Sequence, residues 1–311
     1  MAKSNKKREL EIRKLTVYQS INEAIQDIFD SDVTIEGRRP VSGGDINDAY
    51  RILLSNGEEA FLKLNANAKD NFFRAEVHGL AALREAGANV PKVLGYGNSS
   101  AGEKFLLLSY ESSSCPLKDY WSILGQYLAN MHRANTEKFT KDSTYGFYED
   151  NFIGATPQKN KPQSKWIEFF RDERLGVQMK LADRYFDKED RRLSRRLLDN
   201  LEEFLIEPEF PSLLHGDLWN GNVMPDSRGK PMFIDPAVYV GHHEADLAMT
   251  ELFGGFSLRF YETYHEIIPK QPEYSNRRDI YNLYHLLNHL NLFGGSYLAS
   301  VRRILKRYAP G

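Results

Sequence analysis

The chain has 311 residues, 41% of them hydrophobic, 27% charged and 12% aromatic. This is an ordinary globular composition, which excludes disordered, collagen-like and fibrous classes. Lysine and arginine total 41 against 43 aspartates and glutamates, for a net charge of −2; that balance argues against nucleic-acid binding through bulk charge.

A lone cysteine, Cys115, can form no internal disulfide, so a cytoplasmic setting is expected and Cys115 reads as a small packed residue. The basic N-terminal residues Lys3, Lys6, Lys7 and Arg8 have no apolar run behind them; neither a secretion signal nor a membrane span is expected. The spacing of Leu15, Ile21, Ala24, Ile25, Ile28 and Phe29 predicts a helix over 9–29, with the basic cluster as its solvated start. Short strands follow around 33–35, 49–54 and 60–64, the last two joined by Ser55-Asn56-Gly57, a strong hairpin signal. A helix is predicted over 71–87 with Gly87 as its stop, then strands near 92–97 and 104–110. Residues 33–110 therefore read β-β-β-α-β-β, a small antiparallel α+β lobe.

Beyond Pro116 the pattern is helical near 117–134, 164–186, 188–206, 244–252, 257–266, 276–293 and 296–308. An irregular stretch over 210–243 interrupts it, with two short strands at 222–224 and 231–234. The expected organisation is bilobal: an N-terminal lobe over 1–111 and a larger, mostly helical C-terminal lobe over 112–311. A ligand cleft is expected between them.

The strongest chemical signal is His215-Gly216-Asp217-Leu218-Trp219-Asn220-Gly221-Asn222. It fits H-x-D-L-x-x-x-N, the catalytic-loop pattern of kinases. Four fixed positions arise by chance on the order of once per thousand chains of this length. The spacing suits phosphoryl transfer, with an aspartate facing the acceptor hydroxyl and an asparagine five residues on at the metal. Polar turns use the same residue types, so context matters. Asp235, ending Met232-Phe233-Ile234, could be a turn acid or a second Mg²⁺ ligand. Pro236-Ala237 follows it where Phe-Gly stands in protein kinases.

Upstream, Ser42-Gly43-Gly44 lies between strands and could cradle phosphates through backbone N–H groups. Lys63 is either an outward strand charge or a phosphate-pairing lysine; Glu76 is either an exposed helix residue or its partner. Ser109 and Glu111 close the sheet lobe, where backbone groups would pair with adenine. His285 and His289 have a metal-like spacing but no glutamate base between them. His242-His243 reads as loop surface, and no Gly-x-Ser-x-Gly is present.

Taken together, Leu214-His215-Gly216-Asp217-Leu218-Trp219-Asn220-Gly221-Asn222, Ile234-Asp235-Pro236-Ala237, Glu244-Ala245-Asp246-Leu247-Ala248-Met249, Tyr281 to Asn288 and Leu292-Phe293-Gly294-Gly295 resemble the fructosamine/ketosamine kinases. These belong to the aminoglycoside-phosphotransferase and choline-kinase branch of the protein-kinase-like fold. The resemblance implies ATP- and Mg²⁺-dependent phosphorylation of a ketoamine, usually at O3, on a glycated small amine or protein, as a repair step. It implies Asp217 as base, Asn222 and Asp235 on Mg²⁺, and Lys63 and Glu76 ordering the phosphates. Trp219 is implied at the sugar, and Asp246 at the catalytic loop unless Glu244 takes that role. Asp217, Glu244 and Asp246 together would offer negative charge to a cationic amine. A monomer is the default expectation. Other small alcohols and a nucleotide-binding regulatory module are the competing readings. The intact Lys63, Asp217, Asn222 and Asp235 argue against the regulatory module, and the absence of Ala-Pro-Glu after Asp235 argues against a protein kinase.

Overall fold

The computed structural model describes residues 17–41, 46–98, 102–112, 114–140 and 144–309. Its first part is a six-stranded sheet in the order β1-β5-β6-β4-β3-β2. The strands are β1 (Val17–Tyr18), β2 (Ile35–Pro40), β3 (Asp48–Leu54), β4 (Glu59–Asn65), β5 (Val93–Asn98) and β6 (Lys104–Ser109). All neighbours run antiparallel except β1, which pairs parallel with β5. Of the helix expected over 9–29, residues 9–16 lie outside the described residues, Val17–Tyr18 form a strand, and α1 spans Ile21–Phe29. Ser20 caps α1, its hydroxyl accepting from the Glu23 N–H at 3.0 Å.

Strand alternation distributes the side chains over the two sheet faces. Ala60, Leu62 and Leu64 of β4 join Ile52, Leu54, Phe105 and Leu107 under Ala24 and Ile25 of α1. Lys63, between Leu62 and Leu64, consequently points to the other face. That face is covered by α2 (Phe72–Glu85), whose Phe73, Val77, Leu80 and Leu83 pack with Leu106 and Leu108. The packing of this one helix decides which side of the sheet becomes chemically interesting.

The second part is mainly helical: α3 (Tyr120–His132), α4 (Trp166–Phe169), α5 (Gly176–Leu181), α6 (Lys188–Asp199), α7 (Glu244–Leu252), α8 (Leu258–Ile267), α9 (Tyr274–Phe293) and α10 (Leu298–Tyr308). The helix expected over 164–186 is broken by a π-type turn at Phe170–Leu175. Within this turn the fully buried Arg174 stacks its guanidinium 4.0 Å over Tyr239 and donates to the Lys159 carbonyl and to Asn160. Three short antiparallel ladders complete this part. They are β7 (Asn151–Ile153) with β8 (Thr156–Gln158), β9 (Ser212–Leu214) with β12 (Tyr239–Gly241), and β10 (Val223–Pro225) with β11 (Pro231–Phe233). Only the last was legible in the sequence.

Two expected surfaces are reversed. His242 and His243 are buried, and burial drives both rings below their usual range, His243 to about 3. Cys115 is exposed and free. Among the described residues no helix is long and apolar enough to cross a membrane.

Candidate active site

The β9–β12 ladder fixes both ends of the segment that carries the chemistry. After β9 the chain turns through Gly216, at φ +81°. A Cβ there would lie 2.0 Å from the Ala237 carbonyl, so only glycine fits. The Ala237 N–H donates to the His215 carbonyl at 2.8 Å, and the Ile234 N–H to the Asn222 carbonyl at 3.0 Å. These two bonds lash the loop 215–222 to the segment around Asp235.

His215 is buried and acts inside the loop. Its Nε2 donates to the Ile234 carbonyl at 2.9 Å, and its Nδ1 accepts from the Asp217 N–H at 3.3 Å. Burial pushes its pKa down, in keeping with this neutral tautomer. Asp246, on α7, accepts from the N–H groups of His215 at 2.7 Å and Gly216 at 2.9 Å, and from His132 Nε2 at 3.1 Å. Burial would raise its pKa, but the hydrogen bonds outweigh burial and hold the carboxyl below its usual range. Asp246 is thus a brace for the loop, with His132 in turn bonded to the Tyr264 hydroxyl at 2.8 Å.

Lys63, Glu76, Asp217, Asn222 and Asp235 line one cleft of about 450 Å³. Lys63 Nζ donates to Glu76 Oε1 at 2.6 Å and also to Asp235. Burial disfavours the ammonium, yet Asp235 and Glu76 more than offset this and raise its pKa. Burial, and then the charge of Asp235, push Asp217 up to about 7. Asn222 opposes that shift, its Nδ2 donating to the Asp217 carbonyl at 2.8 Å and to Oδ2 at 3.2 Å. Three carboxylates thus face one ammonium, an excess of negative charge that a cation would relieve.

The donor set suits a hard cation. With Nδ2 engaged, Asn222 has its Oδ1 free of any partner among the described residues, and the Asp235 side chain is 46% exposed. Two protein oxygens, completed by phosphate and water, is the usual arrangement for Mg²⁺. No group of three or more His, Cys, Asp or Glu that could hold a metal occurs among the described residues, His285 and His289 included. Burial drives His285 down to about 3, and His289 Nδ1 is engaged by the His285 carbonyl at 2.8 Å.

The remaining expected residues divide. Trp219 is 38% exposed and lines the cleft, its ring edge-on to Phe253 at 6.3 Å. Glu244 does not reach it: its carboxylate is buried in a bidentate pair with Arg277 at 2.6 and 2.7 Å. Asp246 is spent on the loop amides. The expected negative patch for a cationic substrate therefore loses two of its three members. Ser109 and Glu111 lie outside the cleft lining; Ser109 Oγ accepts from the Lys92 N–H at 2.9 Å, and Glu111 from the Ser227 N–H at 3.4 Å. Ser42, Gly43 and Gly44 fall outside the described residues. Sequence reasoning missed Asn151, Phe253, Asn288 and Tyr297 in the cleft, and His132 and Arg277 behind it. On α9 the sequence offered only the Tyr281–Asn288 and Leu292-Phe293-Gly294-Gly295 runs of the family resemblance, with no cleft residue assigned among them.

Comparison with known proteins matches residues 17–310 to the fructosamine kinase family. A probable ketoamine kinase of Synechocystis is 40% identical, covering 93% of this chain and 96% of that protein. The chloroplastic protein-ribulosamine 3-kinase of Oryza sativa subsp. japonica is 39% identical, covering 88% and 79%. A crystal structure from Haemophilus somnus, assigned as a fructosamine-3-kinase, superposes with a TM-score of 0.81 at 30% identity, covering 94% of this chain and 97% of that one. An aminoglycoside phosphotransferase bound to AMP-PNP and hygromycin B shares the fold alone, with a TM-score of 0.64 at 16% identity and coverage of 94% and 100%.

Proposed function

The chain belongs to the fructosamine kinase family, and on that premise we propose that it transfers the γ-phosphoryl group of ATP to the O3 hydroxyl of a ketosamine. The observation that carries this reading is the single cleft joining the Lys63–Glu76–Asp235 ion cluster to Asp217 and Trp219. The names of the relatives, ketoamine kinase and protein-ribulosamine 3-kinase, supply the substrate class.

Asp217 orients the acceptor hydroxyl. As the oxygen–phosphorus bond forms and the bond to the ADP oxygen breaks, the hydroxyl proton passes to the Asp217 carboxylate and then to water. Lys63, kept cationic and aimed by Glu76, pairs with phosphate oxygens. Asn222 and Asp235 would hold Mg²⁺, which would neutralise phosphate charge. Trp219 forms an apolar wall for the sugar. Asp246 acts through the backbone, fixing the loop that presents Asp217.

The test is Mg²⁺-ATP turnover against ribulose-lysine, fructose-lysine, a glycated protein, choline and methylthioribose, with Asp217→Asn as control. Turnover on a ketosamine that is nearly abolished in the variant is expected. Turnover on choline or methylthioribose alone would replace the substrate class, and near-normal activity of Asp217→Asn would remove its role as base.

A further inference from the structure

The cleft contains a hydrogen-bond donor that the chemistry described so far does not use. Asn288, on α9, is only 3% exposed, yet it lines the cleft with Asp217 and Asp235. Which end of its carboxamide faces the cleft follows from a chain of amides behind it.

The chain starts at a backbone carbonyl. Asn291 Nδ2 lies 3.0 Å from the Gln178 carbonyl oxygen, which can only accept, so that nitrogen is a donor. The same nitrogen donates to Gln178 Oε1 at 2.8 Å, which fixes the oxygen end of the Gln178 amide. The nitrogen end, Nε2, must then be the group that meets Asn288 Oδ1 at 3.1 Å. Asn288 therefore has its oxygen satisfied from behind, and its Nδ2 has no partner among the described residues. Gln178, at 2% exposure, is as buried as the residue it orients. Two amides are held in one order by a backbone atom, and the free end of the chain is an N–H₂ group at the reaction cleft.

We infer that Asn288 reads the acceptor, its Nδ2 donating to a ketosamine oxygen next to the hydroxyl that Asp217 faces, with Gln178 as the positioning residue that keeps this donor turned inward. The inference rests on the ketosamine reading above. A ketosamine offers such an oxygen on the carbons flanking O3. A buried donor of fixed direction discriminates strongly, because a substrate lacking the matching oxygen leaves it unpaired. The recognised group must carry a lone pair; a cation or an N–H in the same place meets a donor and is refused. The site thereby selects for a polyhydroxylated acceptor without help from Glu244 and Asp246, whose carboxylates are occupied elsewhere.

The experiment is steady-state kinetics on Asn288→Asp, Asn288→Ala and Gln178→Glu, varying ketosamine and ATP separately, with melting temperatures alongside. Asn288→Asp keeps the shape and the oxygen facing Gln178 but removes the donor. Gln178→Glu can only accept, so Asn288 must turn its Nδ2 back and present oxygen to the cleft. Each is expected to raise the ketosamine KM about tenfold or more, with the KM for ATP within about twofold. Asn288→Ala, which adds no charge, serves if the acidic variants fold poorly, with the same expectation. An unchanged ketosamine KM in Asn288→Ala, or an equal rise for ATP, overturns the assignment while the ketosamine reading stands. A wild-type enzyme active only on choline, which has no second oxygen, overturns both.

Discussion

Replacing Asp217 by asparagine should stabilise the ligand-free protein above neutral pH while destroying its activity. Burial and the charge of Asp235 lift the Asp217 carboxyl from 3.8 to about 7. A raised carboxylate pKa means that the unfolded chain ionises first. Between about pH 4 and 7 the unfolded state has lost its proton and the folded state has kept it, so stability falls as pH rises. Above about 7 the full cost of the buried charge is present. At about 1.4 kcal/mol per pH unit, a rise of about three units sets a ceiling of about 4 kcal/mol. Asp217 is only partly buried and lines the cleft, so we expect about 1–2 kcal/mol in practice. Asparagine retains an oxygen for Asn222 Nδ2, and the backbone bond at 2.8 Å is untouched. The assay is urea denaturation of both proteins, without nucleotide or Mg²⁺, at pH 4, 6 and 8. The variant should match the wild type at pH 4 and gain progressively to pH 8. A gain that is independent of pH, or a less stable variant at pH 8, would refute the claim that Asp217 is held in an electrostatically unfavourable position.

Two further substitutions separate structural from substrate-facing residues. Glu244→Gln strands Arg277 in a buried position and should cost about 3–5 kcal/mol in a denaturation experiment; any folded fraction should keep a normal ketosamine KM, whereas a selective rise in that KM would return Glu244 to the substrate. Gly221→Ala places a Cβ 2.3 Å from the Trp219 ring and should displace the indole, raising the ketosamine KM several-fold with little change for ATP. Equal losses for both would detach Trp219 from the sugar.

Much of the fold was written locally. The Asn56-Gly57 turn between two β-type runs marked the β3–β4 hairpin, and the apolar spacing of Phe73, Val77, Leu80 and Leu83 marked α2. The strands that escaped notice, at 17–18, 151–153, 156–158, 212–214 and 239–241, are two or three residues each. A strand that short has no usable period, and the β9–β12 partners are about 25 residues apart, so nothing nearby announces the pairing. The break in the helix over 164–186 was equally hidden, because Arg174 looks like a surface residue until Tyr239 and Asn160 are found around it.

The candidate site shows the same division. The sequence by itself determined which chemical groups are available and in what order: a lysine on a strand, a glutamate on the next helix, Asp217 and Asn222 in one loop, Asp235 after a strand. Order and residue type are local properties, and phosphoryl transfer demands few enough of them to be recognisable. Only the tertiary structure decided which of those groups remain free to act. Glu244 and Asp246 are two residues apart on α7, yet one is ion-paired with Arg277 and the other hydrogen-bonded by the amides of His215 and Gly216. Asn288, given no role by the sequence, lines the cleft with a donor that has no partner among the described residues, because Gln178, 110 residues away in sequence, holds its other end. Charge pairing and hydrogen bonding depend on distance in space, and the chain fixes that distance only once it has folded.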